Sequence, residues 1–217
     1  MAQESATASA LIAASAGIVG VILGNSFATI KEYVVGRYRR KKDASYLAII
    51  VISHLDRFVS GCASVASDDG TDEFGRPAGN NGEYWEATVR VPALDVLDLK
   101  VEWKSLPLDL MYAVLRIPDR QEQINRRVAA SYQDDDYPDF GHFFRARQYS
   151  YAEFGLEVSA VASKLRMHVG LPVEETGTAV WDRDRSLRNV MEAVTEARAK
   201  VAEGIAERQR MKDPAVS

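Results

Sequence analysis

Cysteine is almost missing from this chain, and that sets the first limits. One cysteine, Cys62, among 217 residues excludes an intrachain disulfide framework. With three histidines beside it, a four-ligand Cys/His zinc site is hard to assemble. Seven prolines and fourteen glycines are too few for collagen-like or low-complexity architecture. No P-loop, GxGxxG, HExxH, GxSxG or CxxC occurs, so no motif gives a positive reason to name a reaction. Excess positive charge is also missing. The net charge of −4 argues against a general nucleic-acid binder.

What remains is a globular balance of 47% hydrophobic and 27% charged residues, with enough chain for one domain and a real core. The charge is unevenly placed. Residues 1–42 carry six basic residues, Lys31, Arg37, Arg39, Arg40, Lys41 and Lys42, against Glu4 and Glu32, a net of +4. Residues 43–217 carry a net of −8. Such asymmetry points the basic segment toward something anionic.

From Ser5 to Ile30 no residue bears a formal charge. About 20 apolar residues cross a hydrocarbon core of roughly 30 Å, so this segment is expected to span a membrane. A cleaved signal peptide would place its basic region before the apolar stretch, whereas here the cluster follows it. A buried core helix competes, because the span is rich in Ala, Gly and Ser. The one-sided cluster predicts an inner-membrane protein with its N-terminus outside and everything after Lys31 cytoplasmic. The six basic residues would meet lipid headgroups. Within the span Ala13, Gly17, Gly20 and Gly24 share one helix face, a pattern that lets two membrane helices approach closely and so suggests a homodimer.

Past the cluster the pattern predicts an all-α fold: the membrane helix continues into a cytoplasmic helical bundle over 43–211, with a tail at 212–217. Apolar residues recur at 3- and 4-residue spacing from Ala44 to about Ser67. Breakers from Gly70 to Asn80-Asn81-Gly82 and Pro92 predict a long irregular loop over 70–104. Within it Val89-Arg90-Val91 reads as a scrap of strand, and Tyr84, Trp85 and Trp103 should pack down. Ser105 is expected to cap a helix that Pro118 ends, with Asp119 and Glu122 restarting it to about Gln133. Asp139 is expected to cap a long helix ending at Gly170, with Phe140, Phe144, Tyr151, Phe154, Val158, Val161 and Leu165 on one face. A last helix over about 179–211 should turn Leu187, Val190, Met191, Val194, Val201 and Ile205 inward.

The sharpest candidate for chemistry is Asp134 to His142, where four aspartates and an imidazole could hold a divalent metal and activate water. The competing reading is helix punctuation: acids that close one helix and favour the N-terminus of the next. His54 and Asp56 fall on different helix faces. His168 suits a helix C-terminus, and Cys62 reads as a small buried hydrophobe. Arg145, Arg147, Arg183, Arg185 and Arg188 cluster near helix starts and could meet phosphate or the bilayer, but with Asp182 and Asp184 nearby they read as a solvated, paired face.

The stretches Tyr46–Gly70 (YLAIIVISHLDRFVSGCASVASDDG) and Val101–Arg120 (VEWKSLPLDLMYAVLRIPDR) resemble a group of bacterial proteins with an N-terminal span, a basic cluster and a helical cytoplasmic part. The resemblance implies that architecture and no activity, cofactor or catalytic residue. The expected protein is therefore a non-enzymatic, membrane-anchored helical protein that binds a protein partner at the cytoplasmic face, with no catalytic, cofactor or metal residue assigned. A membrane-tethered metal-dependent enzyme using Asp134–His142 and a small pore-like membrane assembly are the alternatives.

Overall fold

A computed structural model describes residues 42–99, 101–133, 135–172 and 182–212, together with 31, 35, 36 and 38. The chain divides into two units, Met1–Tyr46 and Leu47–Ser217. The described residues of the first unit are helical; the proposed span and its Ala13, Gly17, Gly20 and Gly24 lie outside the described residues, as do Arg37, Arg39, Arg40 and Lys41. Lys31 and Lys42 are exposed.

The protein is all-α. Helices α1 (Lys42–Ala66), α2 (Leu108–Leu115), α3 (Ile117–Gln133), α4 (Gly141–Val169) and α5 (Arg183–Lys212) surround a single core. Short 3-10 turns sit at Asn80–Gly82 and Trp103–Ser105. Among the described residues no strand forms, only isolated bridges between Thr71 and Pro77 and between Gly79 and Tyr84.

Helix α4 is central. It packs against α2, α3 and α5 and against α1, where Phe58 meets Phe154 edge-on with ring centroids 5.4 Å apart. Of the expected α4 face, Phe144, Tyr151, Phe154, Val158 and Leu165 are buried. So are Arg147, Ser150, Ser159 and Arg166, because contact with four other helices leaves the C-terminal half of α4 only a narrow solvated stripe along Glu157, Ala160, Lys164 and Met167. The helix stops where Gly170 turns left-handed at φ 74°, and the Leu171 N–H reaches back 2.9 Å to the Arg166 carbonyl, which satisfies carbonyls that the helix leaves unpaired.

Helix α1 is long and apolar enough to cross a membrane by length and composition, yet half of its most apolar window is buried in the protein. Leu47, Val51, Leu55, Phe58, Val59 and Cys62 point into the core. Asp56, in mid-helix, pairs with Arg166 of α4 and Arg183 of α5. These pairs tie α1 to α4 and α5.

Several local expectations are corrected. Ser105 does not cap α2; its hydroxyl donates to the Glu102 carbonyl at 2.7 Å, and Pro107 stands at the N-cap. Val89 forms no strand, because its N–H is taken by Asp68 at 3.0 Å. Arg147 is not on a solvated face: it is buried against Asp68, with a 2.6 Å ion pair. Arg183 likewise is mostly covered. On α5 Leu187 and Val194 are buried, whereas Val201 and Ile205 are about half exposed. From Thr195 onward only Ala197 and Gly204 are even half-buried, so the inward stripe stops short of the helix end.

The long loop is tied down at several points. Asp68, just past α1, accepts from Gly70 N–H at 3.1 Å, Thr88 Oγ1 at 2.9 Å, Val89 N–H at 3.0 Å and Arg147. Arg147 also donates to the Val89 carbonyl. Gln121 of α3 donates to the Pro92 carbonyl. Val96 and Leu94 enter the core, and Trp103 packs on it.

Candidate functional site

The residues from Tyr132 to Phe144 connect α3 to α4, and the sequence places four aspartates and no lysine or arginine among them. The structure assigns Asp135 to the backbone. Its Oδ2 accepts from the Phe143 N–H at 2.6 Å, and its Oδ1 from the Asp136 N–H at 3.0 Å. Phe143 is the third residue of α4, so Asp135 satisfies one of the N–H groups that a helix start leaves unpaired. The expected cap, Asp139, does not make that bond. Phe140 holds the N-cap position at φ 47° with no side-chain cap, and this left-handed turn brings the chain back so that Asp135 reaches the helix instead.

The turn also gathers rings. Tyr132 stacks on Phe140 at 4.8 Å, and Phe143 meets Tyr132 edge-on at 5.1 Å. Tyr137 lies 6.1 Å from Phe140. Tyr84 joins from the loop, 6.1 Å from Tyr137 and 6.4 Å from Phe140. Two features deliver Tyr84. The Asn80–Gly82 turn closes with the Gly79 N–H bonded to the Tyr84 carbonyl at 2.9 Å, and the Trp85 N–H donates to the Pro138 carbonyl at 3.1 Å. Gly79 is required here, because a methyl group on it would lie 2.4 Å from the Tyr84 ring.

Phe140 forms the floor, 8% exposed, while Tyr132 and Tyr137 are 46% and 66% exposed. Around these rings Glu83, Glu86, Asp136 and Asp139 are exposed. Glu86 foremost, then burial, the neighbouring phenols of Tyr132 and Tyr137, and Glu83 hold the Tyr84 phenol above its ordinary value. Arg145 folds back so that its guanidinium lies beside Gly141. An exposed ring face carries negative potential and attracts cations, a preference that carboxylates at the rim reinforce.

Among the described residues no three His, Cys, Asp or Glu side chains are grouped to hold a metal ion. His142 is exposed on the first turn of α4. Asp56 is taken by arginines rather than by His54. Burial pushes the Cys62 thiol up to about 12, against the opposing pull of Arg183, so it stays protonated at neutral pH and is a poor nucleophile. His168 ends α4 in its last turn. The sequence pattern expects Tyr84 only to pack down, which its half-buried position matches, and does not single out Tyr132. The signal for them was present only as the pair of acidic, aromatic strips, Glu83–Glu86 and Tyr132–Phe144, that the fold brings together. No family model, curated protein or solved structure matches the chain, so the corner is interpreted from its own geometry.

Proposed function

We propose that this chain is a membrane-anchored helical protein that binds rather than catalyses. Its bundle docks a Lys- or Arg-rich segment of a partner protein on the aromatic corner formed by Tyr84, Tyr132, Tyr137 and Phe140. The observation that carries the reading is the exposure of Tyr137 and of Tyr132, stacked on the buried Phe140, inside a rim of carboxylates. Solvent-facing aromatic clusters are unusual on a protein that only needs to stay soluble, and Tyr is a frequent energetic anchor at interfaces. The anchor in this reading is the uncharged segment 5–30, with Lys31 to Lys42 on the cytoplasmic headgroups and α1 serving as a core helix. Asp135, the best-placed carboxylate of the Asp134–His142 stretch, is already committed to the backbone of α4, which favours the punctuation reading over metal-assisted chemistry.

Quantitative affinity capture of the full-length protein tests this. A Tyr132→Ala/Tyr137→Ala variant and a Glu83→Gln/Glu86→Gln/Asp136→Asn variant should each lose the same partner, by roughly thirty-fold for an anchor worth about 2 kcal/mol. Full retention of every partner by both variants would sink the proposal.

A further inference from the structure

On another side of the bundle, α2, α3 and α4 leave a cavity of about 390 Å³. Its floor is core: Phe154 and Val158 are almost wholly buried and Ile117 nearly so, with Val161 beside them. A floor made of core residues is preformed, and the volume falls at the small end of the roughly 300–1,000 Å³ that ligand sites occupy. The mouth is polar and unevenly charged. Arg120 grips Glu157 through two N–H groups, at 3.2 and 3.4 Å. Arg116 lies with its guanidinium 5.6 Å from the centre of the Tyr112 ring, and among the described residues no carboxylate forms an ion pair with it. The mouth therefore holds two cations against one carboxylate.

An apolar hollow with a spare guanidinium at its rim fits one ligand chemistry. We propose that this cavity binds a single-chain carboxylate amphiphile, a medium-chain fatty acid, with its tail along Ala113 and Val161 over the Phe154–Val158 floor and its headgroup on Arg116. The planar guanidinium donates two parallel N–H bonds to a carboxylate, and the Tyr112 ring beneath restrains it.

Photolabelling of the purified full-length chain with a diazirine-bearing decanoate tests the assignment. Adducts should map to peptides of α2, α3 and α4 bordering the cavity, and unlabelled decanoate should compete at least ten-fold better than decanol. Arg116→Ala, at an exposed position, should lower labelling about ten-fold with an unchanged melting temperature, while Arg116→Lys, which keeps the charge but not the two parallel N–H bonds, restores only part of it. Val161→Trp, which fills the hollow, should abolish it. Labelling that maps elsewhere, survives Arg116→Ala or is competed equally by decanol would overturn the proposal. A single-chain phosphate ester that outcompetes decanoate would overturn the carboxylate assignment.

Discussion

Asp68 shows how much one side chain can organise. Taking a carboxylate out of water raises its affinity for a proton, and burial pushes Asp68 in that direction. The bonds from Val89, Gly70, Thr88 and Arg147 outweigh it and hold the carboxyl below its ordinary range. In the unfolded chain the group titrates near about 3.9, and in the folded protein lower. Its contribution to stability is complete above about pH 4 and is lost as the pH falls through the folded value. Asp68→Asn should cost roughly 3–5 kcal/mol at pH 7, because Arg147 is left buried without a counter-charge. The gap between variant and parent should close in acid. Denaturant unfolding across pH 2–7 checks both, and a gap that stays constant would contradict the argument. None of this was legible in sequence. In sequence Arg147 follows Arg145 near a helix start and looks solvated, and Asp68 looks like a turn residue after a helix. Only a contact across 79 positions reveals the pair.

Elements were easier to read than their surroundings. The helix boundaries follow local chemistry: Pro118 in the first turn of α3, the left-handed Gly170 after α4, the acidic turn before it. Those signals are carried by adjacent residues, so the all-α fold was legible. What periodicity could not show is how many neighbours a helix has. Helix α4 reads as amphipathic, yet it meets four other helices, and its close approach to two of them rests on Gly155. A methyl there would lie 2.9 Å from Leu187 Cδ1 on α5 and 3.2 Å from Cys62 Cβ on α1. Leu187 can swing aside, but a larger side chain must also displace α1. Gly155→Leu should therefore destabilise the bundle by about 1–3 kcal/mol despite leucine's better helix propensity, as read by thermal or denaturant unfolding. A variant as stable as the parent would show that the α1–α4–α5 junction is looser than this packing implies. The aromatic corner lay partly beyond reach for the same reason. Its acidic half was visible as Asp134 to Asp139, but Tyr84 arrives from a loop 48 positions before Tyr132.

At the scale of the whole molecule, the proposed reading rests on the segregation of charge. An uncharged-then-cationic N-terminal segment and an acidic remainder are what a membrane-held protein with a cytoplasmic bundle and cationic partners would carry. A reporter fused after Ser217 should be active only in a cytoplasmic format, and periplasmic activity would contradict the orientation. The corner itself is tested most directly by placing a photo-crosslinking amino acid at Tyr137 of the full-length protein in living cells, with Leu97, 75% exposed, as the control position. The account predicts one dominant protein adduct from position 137, mapped on the partner to a Lys- or Arg-rich segment and reduced at least ten-fold by Glu83→Gln/Glu86→Gln/Asp136→Asn. Adducts no more abundant than from position 97, or a dominant adduct untouched by that charge neutralisation, would contradict it.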